Sequence, residues 1–345
     1  MRQSGVQSLH SRGILTNMIW QLPIPALILI GMAVIFDFLN GFHDSSNIVA
    51  TMISSRAIGP RRALLITAAA EAIGPFLFGV AVARTIGNEI VADQAVTLPV
   101  ITAALTAAIG WNLITWFLGI PSSSSHALIG GIAGASVAGF GLDALKWGGL
   151  GKVLIALLIS PALGLLAGYL LMKMILFLAR AATPRANLVF KRAQIATALA
   201  LALSHGTNDA QKTMGIITLG LVAAGVLQAF EVPVWVIGLS AGAIALGTSL
   251  GGWRLIRTLG GKFYTIRPVH GFTAQIASAT VILGAALAGG PVSTTQVVSS
   301  AIVGAGSAER LSKVRWGVAQ QIGMAWLLTI PFSALLAAGV YTVLR

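Results

Sequence analysis

Two polar stretches interrupt apolar runs at the depth where a spanning helix would cross the middle of a bilayer. They are Phe36–Asn47, FDFLNGFHDSSN, and Leu203–Lys212, LSHGTNDAQK. Their most consequential residues are Asp44 and Asp209. An isolated ionised Asp in hydrocarbon costs about 2.5–3.5 kcal/mol even on the lenient insertion scale. Such a residue persists by pairing, by binding a cation or by titrating. The plain alternative is an Asp near the interface that caps a helix. The reading with more chemistry is cation coupling, each Asp holding a proton or a metal ion beside an anion.

Around the two acids lie Asn40, His43, Ser45, Ser46 and Asn47 in one stretch, and Ser204, His205, Thr207, Asn208 and Gln211 in the other. Unwinding is expected at Gly41 and Gly206, which would free backbone amides. A following half-helix would then present its N-terminus to an anion. Hydroxyls alone are weak evidence, because Ser and Thr also bond to their own backbone.

Two further stretches, Pro121–His126 (PSSSSH) and Pro291–Gln296 (PVSTTQ), are rich in hydroxyls. Each could be an interfacial loop. Paired with the Asp stretches, they read as the tips of two hairpins. Ser123, Ser124, Ser125, Ser293, Thr294 and Thr295 would then donate to one ligand. A tetrahedral oxyanion needs many donors spread around it, and four such segments would supply them.

Three residues leave alternatives open. Lys212 is a compact charge that suits phosphate, or else a salt-bridge partner or a snorkelling side chain. Glu71 is a proton site, or a partner of Lys212 or an Arg. His43 titrates, ligates a metal, or is simply hydrogen-bonded beside Asp44.

The elements that must position these residues follow from composition. The chain of 345 residues is 56% hydrophobic and 9% charged, with a mean hydropathy of +0.89. Soluble domains carry about 25% charged residues. Several runs reach the about 17–25 residues that cross hydrocarbon as a helix. The fold class expected is all-α, a polytopic membrane protein. The 40 Gly suit closely packed membrane helices. The net charge of +13 sits in short connections, as the positive-inside rule expects, which argues against nucleic acid as a partner. With no Cys there is no disulfide framework and no thiolate site. Residues 1–22 read as a polar, basic tail and not as a cleavable leader.

The apolar segments in the first half are 23–55, 63–83, 95–118, a short Gly-rich segment to 141, and 150–179. The second half repeats the first. Gly41 and Asp44 match Gly206 and Asp209 at one constant offset. Gly74, Gly79, Arg84, Thr85 and Gly87 match Gly247, Gly252, Arg257, Thr258 and Gly260 at another. Pro121, Ser123, Gly134 and Pro161 match Pro291, Ser293, Gly304 and Pro331 at a third. An ordered series with small changes of offset at loops is a duplication. The two repeats are placed at 23–180 and 193–345, joined by a cytoplasmic connection over 181–192.

Each half has five segments, so the halves should enter the membrane from opposite sides. The loop after segment two holds Arg84, Glu89 and Asp93. Its equivalent holds Arg254, Arg257, Lys262 and Arg267 without an acid, so one faces out and the other in. Both termini then fall outside. Two inverted-topology repeats with broken helices are therefore expected, with the substrate at mid-membrane. Segments three and four are either two full spans or a re-entrant hairpin with Ser122–His126 at its tip. Parity is the same for both, and the short segment four with its polar start favours two re-entrant hairpins, one in each half. The Arg84 and Arg257 motifs read as helix-end anchors.

At these residues the chain resembles the inorganic phosphate transporter (Pit-type) family, marked by a duplicated motif of the form G-A-N-D-V-A-N. The copies here read Gly41-Phe-His-Asp-Ser-Ser-Asn47 and Gly206-Thr-Asn-Asp-Ala-Gln-Lys212, accompanied by the hairpin tips GIPSSSSH and GGPVSTTQ. The resemblance covers nearly the whole chain. It implies symport of inorganic phosphate with a cation by alternating access, in the cell (inner) membrane. By carry-over it places Asp44, Asn47, Asn208 and Asp209 at the ion and phosphate site, with Ser123, Ser124, Ser293, Thr294 and Thr295 closing over it. The full expected set for phosphate adds Ser45, Ser46, Ser125, Thr207 and Lys212. The coupling set is His43, Asp44, Asn47, Asp209 and Glu71, with Asp44, Asp209, Asn47 and Asn208 as metal ligands.

Two positions depart from the motif: His43 replaces an Asn, and Lys212 replaces the last Asn of the second copy. These look like the low-affinity bacterial branch, which implies proton coupling and phosphate carried as a neutral metal complex. No resident cofactor is expected, only a co-transported proton, sodium or divalent metal ion. Phosphate and the lipid bilayer are the partners, and homo-oligomerisation stays open. A sodium-coupled phosphate or sulfate symporter is the alternative within the family. From other classes come an intramembrane hydrolase using Ser122–Ser125 with His126 or the Asp pair, and an anion channel. An enzyme is not expected, since catalysis needs one asymmetric nucleophile and base, and His126 is matched by Gln296.

Overall fold

The computed structural model describes residues 22–183 and 185–345. Most of the expected tail over 1–22 lies outside the described residues. Twelve α-helices are named in chain order among them: α1 (Ile24–Ser54), α2 (Pro60–Leu77), α3 (Ala81–Asn88), α4 (Leu98–Leu118), α5 (Ser124–Phe140), α6 (Trp147–Leu178), α7 (Ala186–Ala223), α8 (Val234–Leu250), α9 (Trp253–Gly261), α10 (Pro268–Leu287), α11 (Thr294–Glu309) and α12 (Trp316–Leu344).

Local chemistry sets several ends. Pro60 occupies the first turn of α2, where a missing N–H costs nothing. Thr97 caps α4 by accepting from Val100 N, and Gly119 ends it at φ +68. Ser123 and Ser293 cap α5 and α11 in the same way, accepting from His126 N and Gln296 N. Helix α7 starts at Ala186, inside the connection expected over 181–192.

Five helices are long and apolar enough to cross a membrane: α1, α4, α6, α10 and α12. The pairs α2–α3 and α8–α9 would add two, but each is bent, by 72° and 71°. The expected single segment over 63–83 is therefore interrupted. Pro75 removes a ladder hydrogen bond near the end of α2, and Gly79 turns the chain at φ +77. Gly251 does the same after α8 at φ +71. Large apolar side chains such as Leu178, Leu335 and Ile24 are exposed on the outer helices, as lipid-facing surfaces require.

The expected break at Asn40–Asn47 is absent. Helix α1 runs unbroken for 31 residues through it, and α7 runs unbroken for 38 residues through the second motif. The glycines serve a different purpose. A Cβ on Gly41 would stand 2.1 Å from Ile244 O on α8, and one on Gly206 would stand 2.4 Å from Glu71 O on α2. They let backbones touch, as small residues do where membrane helices cross. The contacts are reciprocal: Gly247 of α8 abuts Phe38 O of α1, and Gly74 of α2 abuts Leu203 O of α7.

The same exchange recurs further out. Helix α5 packs on α12, and α11 packs on α6. Gly134 lies against Ala334, and Gly304 lies against Leu165. Each half thus completes the other, and the α1–α8 and α7–α2 crossings bring the two Asp stretches together.

Candidate functional site

Asp44 on α1 and Asp209 on α7 meet in the protein interior, both 0% exposed. One side chain from the first turn of α11 ties them together. Thr294 directs its hydroxyl at Asp209 Oδ2 (3.0 Å) and Asp44 Oδ2 (3.3 Å). Thr295 donates to Asp44 Oδ1 at 2.9 Å and accepts from Asn47 Nδ2 at 3.1 Å. His43 Nδ1 lies 2.9 Å from Asp44 Oδ1.

Lys212, one turn beyond Asp209 on α7, is buried and pairs with it. The same ammonium donates to Ser125 Oγ at 2.5 Å, and Ser125 donates to Val292 O at 3.0 Å. Of the three readings left open for Lys212, the structure shows the salt bridge, and the same ammonium also grips the first turn of α5. The two tips meet each other as well, with Gln296 Nε2 3.5 Å from His126 Nε2.

His205 bridges three acids. Its Nε2 is 3.2 Å from Asp209 Oδ2 and 3.7 Å from Asp44 Oδ2, and its Nδ1 is 2.7 Å from Glu71 Oε1. These contacts are close but out of line for hydrogen bonds. Glu71, expected as a proton site or a partner of Lys212 or an Arg, has His205 as its neighbour in place of Lys212 or an Arg. The reason is the α2–α7 crossing, which puts the Glu71 backbone against Gly206. Ligand atoms of Asp44, His205 and Asp209 all lie within 4.8 Å of one another, a spacing that suits a metal ion. Asn47 Oδ1 and Asn208 Oδ1, buried and without a partner, could add oxygen ligands.

Other expected residues are placed differently. Ser45 donates to Phe42 O and accepts from Gly252 N, so it secures the α8–α9 bend. Ser46 donates to His43 O and Thr207 donates to Leu203 O. Once α1 and α7 stay helical, their hydroxyls find carbonyls one turn back and spend their hydrogens there. Asn208 Nδ2 donates to Gly290 O, at the approach to the second tip. Ser123 and Ser293 act as caps, and Ser124 is buried in the first turn of α5.

Ser123 Oγ also lies 2.7 Å from His126 Nδ1. This pair does not make a hydrolase site: the serine is the α5 cap, and His126 faces Gln296 and no carboxylate among the described residues.

Asp37, Asn40 and His205 are buried at or near this site, yet their residue types alone assigned them no role. Two had a signal in the spacing. Asn40 and His205 each precede an aspartate by four residues, one turn on the same helix face. Asn40 Nδ2 reaches Asp209 Oδ2 at 3.4 Å.

The phosphate transporter family matches residues 40–337. A Bacillus subtilis protein described as a probable low-affinity inorganic phosphate transporter is 44% identical over 326 residues, covering 93% of this chain and 98% of its own. A Rhizobium meliloti protein of the same description is 45% identical, covering 93% and 97%. A solved structure described as the sodium-dependent phosphate transporter superposes with a TM-score of 0.85 at 28% identity, covering 93% of this chain and 99% of that one. A match over most of the chain, relatives at this identity along nearly their full length, and a shared helical architecture agree. This chain belongs to the phosphate transporter family.

Proposed function

We propose that this protein is a secondary active symporter that carries inorganic phosphate with a cation, favouring protons, across the cell (inner) membrane. The observation that carries this reading is the meeting of Asp44 and Asp209, one from each half, under hydroxyls from a hairpin tip. The phosphate is bound by Thr294, Thr295, Ser125 and Lys212 once Lys212 swings from Asp209. A cation at Asp44, His205 and Asp209, or protons on them, offsets the charge of the anion. Carrying opposite charges together lowers the cost of moving either through low dielectric.

Proton coupling, with phosphate carried as a metal complex, is supported by the residues that replace amides. His43 and Lys212 stand where the family motif has Asn, and Lys212 already fills Asp209's cationic partner position. A sodium ion there would compete with a fixed ammonium.

Inverted repeats and re-entrant hairpins supply the mechanism. Helices α5 and α11 have 17 and 16 residues, short for a crossing that needs about 20. Their tips meet at the protein centre, where each would form a gate. Behind the tips lie two related clefts. One is lined by Thr258, Lys262 and Gly119–Pro121, the other by Thr85, Glu89 and Gly289–Pro291. They hold repeat-equivalent residues, as entrances on opposite faces would, and the site between them is sealed.

The test is uptake into proteoliposomes. A pH gradient alone should drive phosphate accumulation in wild type. Asp44→Asn and Asp209→Asn should abolish it in protein that still inserts and elutes as a folded species. Strict dependence on sodium would overturn proton coupling and leave the sodium symporter. Flux far above carrier rates with no response to either gradient would point to a channel.

A further inference from the structure

Asp37 lies on α1 two turns before Asp44, on the same helix face, with Asn40 between them. It is 0% exposed, and neither carboxylate oxygen has a hydrogen-bond partner. The Thr213 hydroxyl of α7 faces it, is equally buried, and also lacks a partner. Asn40 links this place to the site above by donating to Asp209, while its own Oδ1 is unsatisfied.

The charged groups that face Asp37 are Asp209 and Lys212 on α7 and Glu71 on α2. Two of these are acids, and Lys212 is committed to Asp209 and Ser125. Helices α4 and α8, which also pack on α1, contain no charged residue. Arg254 of α9 bonds Phe117 O, and Glu309 of α11 is engaged by Lys313 and His270.

The contrast with Asp44 and Asp209 is sharp. Those two are supplied with donors from Thr294, Thr295 and Lys212, whereas Asp37 is faced by one hydroxyl, that of Thr213, which is out of hydrogen-bond geometry. A buried carboxylate this short of donors costs several kcal/mol, and a bound proton removes that cost. Pairs of acids placed in such different surroundings divide their roles.

We propose that Asp37 is a second protonation site, distinct from the Asp44–Asp209 site, and the group that carries the coupled proton. This rests on the proton-coupled reading above. Asp37 takes a proton from water on the more acidic side, forming the carboxyl O–H bond, and returns it to water on the other side after phosphate has moved. Asn40, one turn along α1 from Asp37 and bonded to Asp209, is the residue placed to relay its state.

The test uses the full chain in proteoliposomes, with two readouts. One is exchange of labelled for unlabelled phosphate without a gradient. The other is accumulation driven by a pH gradient. Asp37→Asn mimics the neutral acid, so it should retain exchange and lose accumulation, and Asp37→Glu should restore accumulation. Accumulation by Asp37→Asn at the wild-type level overturns the proposal. Loss of exchange together with accumulation also overturns it, because Asp37 then serves binding or fold. Wild-type protein driven only by sodium defeats the coupling reading itself, and that arm is read before any variant. Should Asp37→Asn not fold, infrared difference spectra of wild type and Asp37→Glu across pH decide. A carboxylic acid carbonyl band that moves on substitution supports the proposal, and an unchanged band overturns it.

Discussion

Lys212 on α7 donates to Ser125 in the first turn of α5 over 2.5 Å while pairing with Asp209, so one ammonium joins the acid of one helix to the start of another. Removing one partner of a buried ion pair leaves the other unpaired, a loss of about 3–5 kcal/mol. Lys212→Met should therefore lower the thermal midpoint of the detergent-solubilised protein and abolish uptake. Lys212→Met combined with Asp209→Asn should recover much of the stability and none of the transport. A double-mutant cycle on thermal unfolding measures the coupling, and purely additive losses would contradict the pairing.

Thr294 is the hydroxyl that reaches both aspartates. Thr294→Val keeps the shape and removes the donor, leaving two buried acids short of a hydrogen bond at about 1–3 kcal/mol. Phosphate uptake should fall by about tenfold for each 1.4 kcal/mol of that loss. Thr294→Ser should keep most of the activity. Initial uptake rates at several phosphate concentrations check it. Equal damage from Ser and Val would show that packing, and not the hydroxyl, is what counts.

The glycines of the two motifs make a structural prediction. Gly41→Ala and Gly206→Ala would push a methyl to within 2.1 Å and 2.4 Å of a neighbouring carbonyl. Both should reduce the yield of monodisperse protein in size-exclusion chromatography. Gly31→Ala, on the same helix as Gly41 with nothing within 4 Å, should be harmless. Tolerance of Ala at 41 and 206 would favour unwound segments over the crossings described.

At the end of α11, partial burial pushes Glu309 up, but Lys313, Arg267 and His270 outweigh it and hold its pKa down to about 2 from 4.5. Lys313 Nζ lies 2.6 Å away and His270 Nε2 2.8 Å, with Arg267 as the third partner. A pKa lower in the folded than in the unfolded chain adds stability that is fully present above about 4.5 and lost as pH falls through about 2. The thermal midpoint of Glu309→Gln should thus lie below wild type at neutral pH, and the two should converge below that window. A gap independent of pH would mean that the cluster acts by shape alone.

Much of this protein was legible in its residues. The apolar runs required spanning helices, because nine per cent charge cannot clothe a soluble surface. The duplicated Gly and Asp positions are the ground for expecting two related halves. Buried acids in both copies pointed to one shared site, since charges in hydrocarbon survive only with partners. The helix starts at Ser124 and Thr294 were recognisable because a Pro followed by hydroxyls interrupts an apolar run and offers a capping serine.

Which groups share that site was decided in three dimensions. A Gly in an apolar run suits either an unwound segment or a close helix crossing, and only the neighbouring backbone distinguishes them. Here Ile244 and Glu71 press on Gly41 and Gly206, so α1 and α7 stay helical. That in turn makes Ser46 and Thr207 bond back to their own helices and frees Thr294 and Thr295 to serve the acids. His205 has Asp209 one turn along its own helix, but it gained Asp44 and Glu71 because residues far apart in the chain converge at a crossing angle that no local pattern encodes.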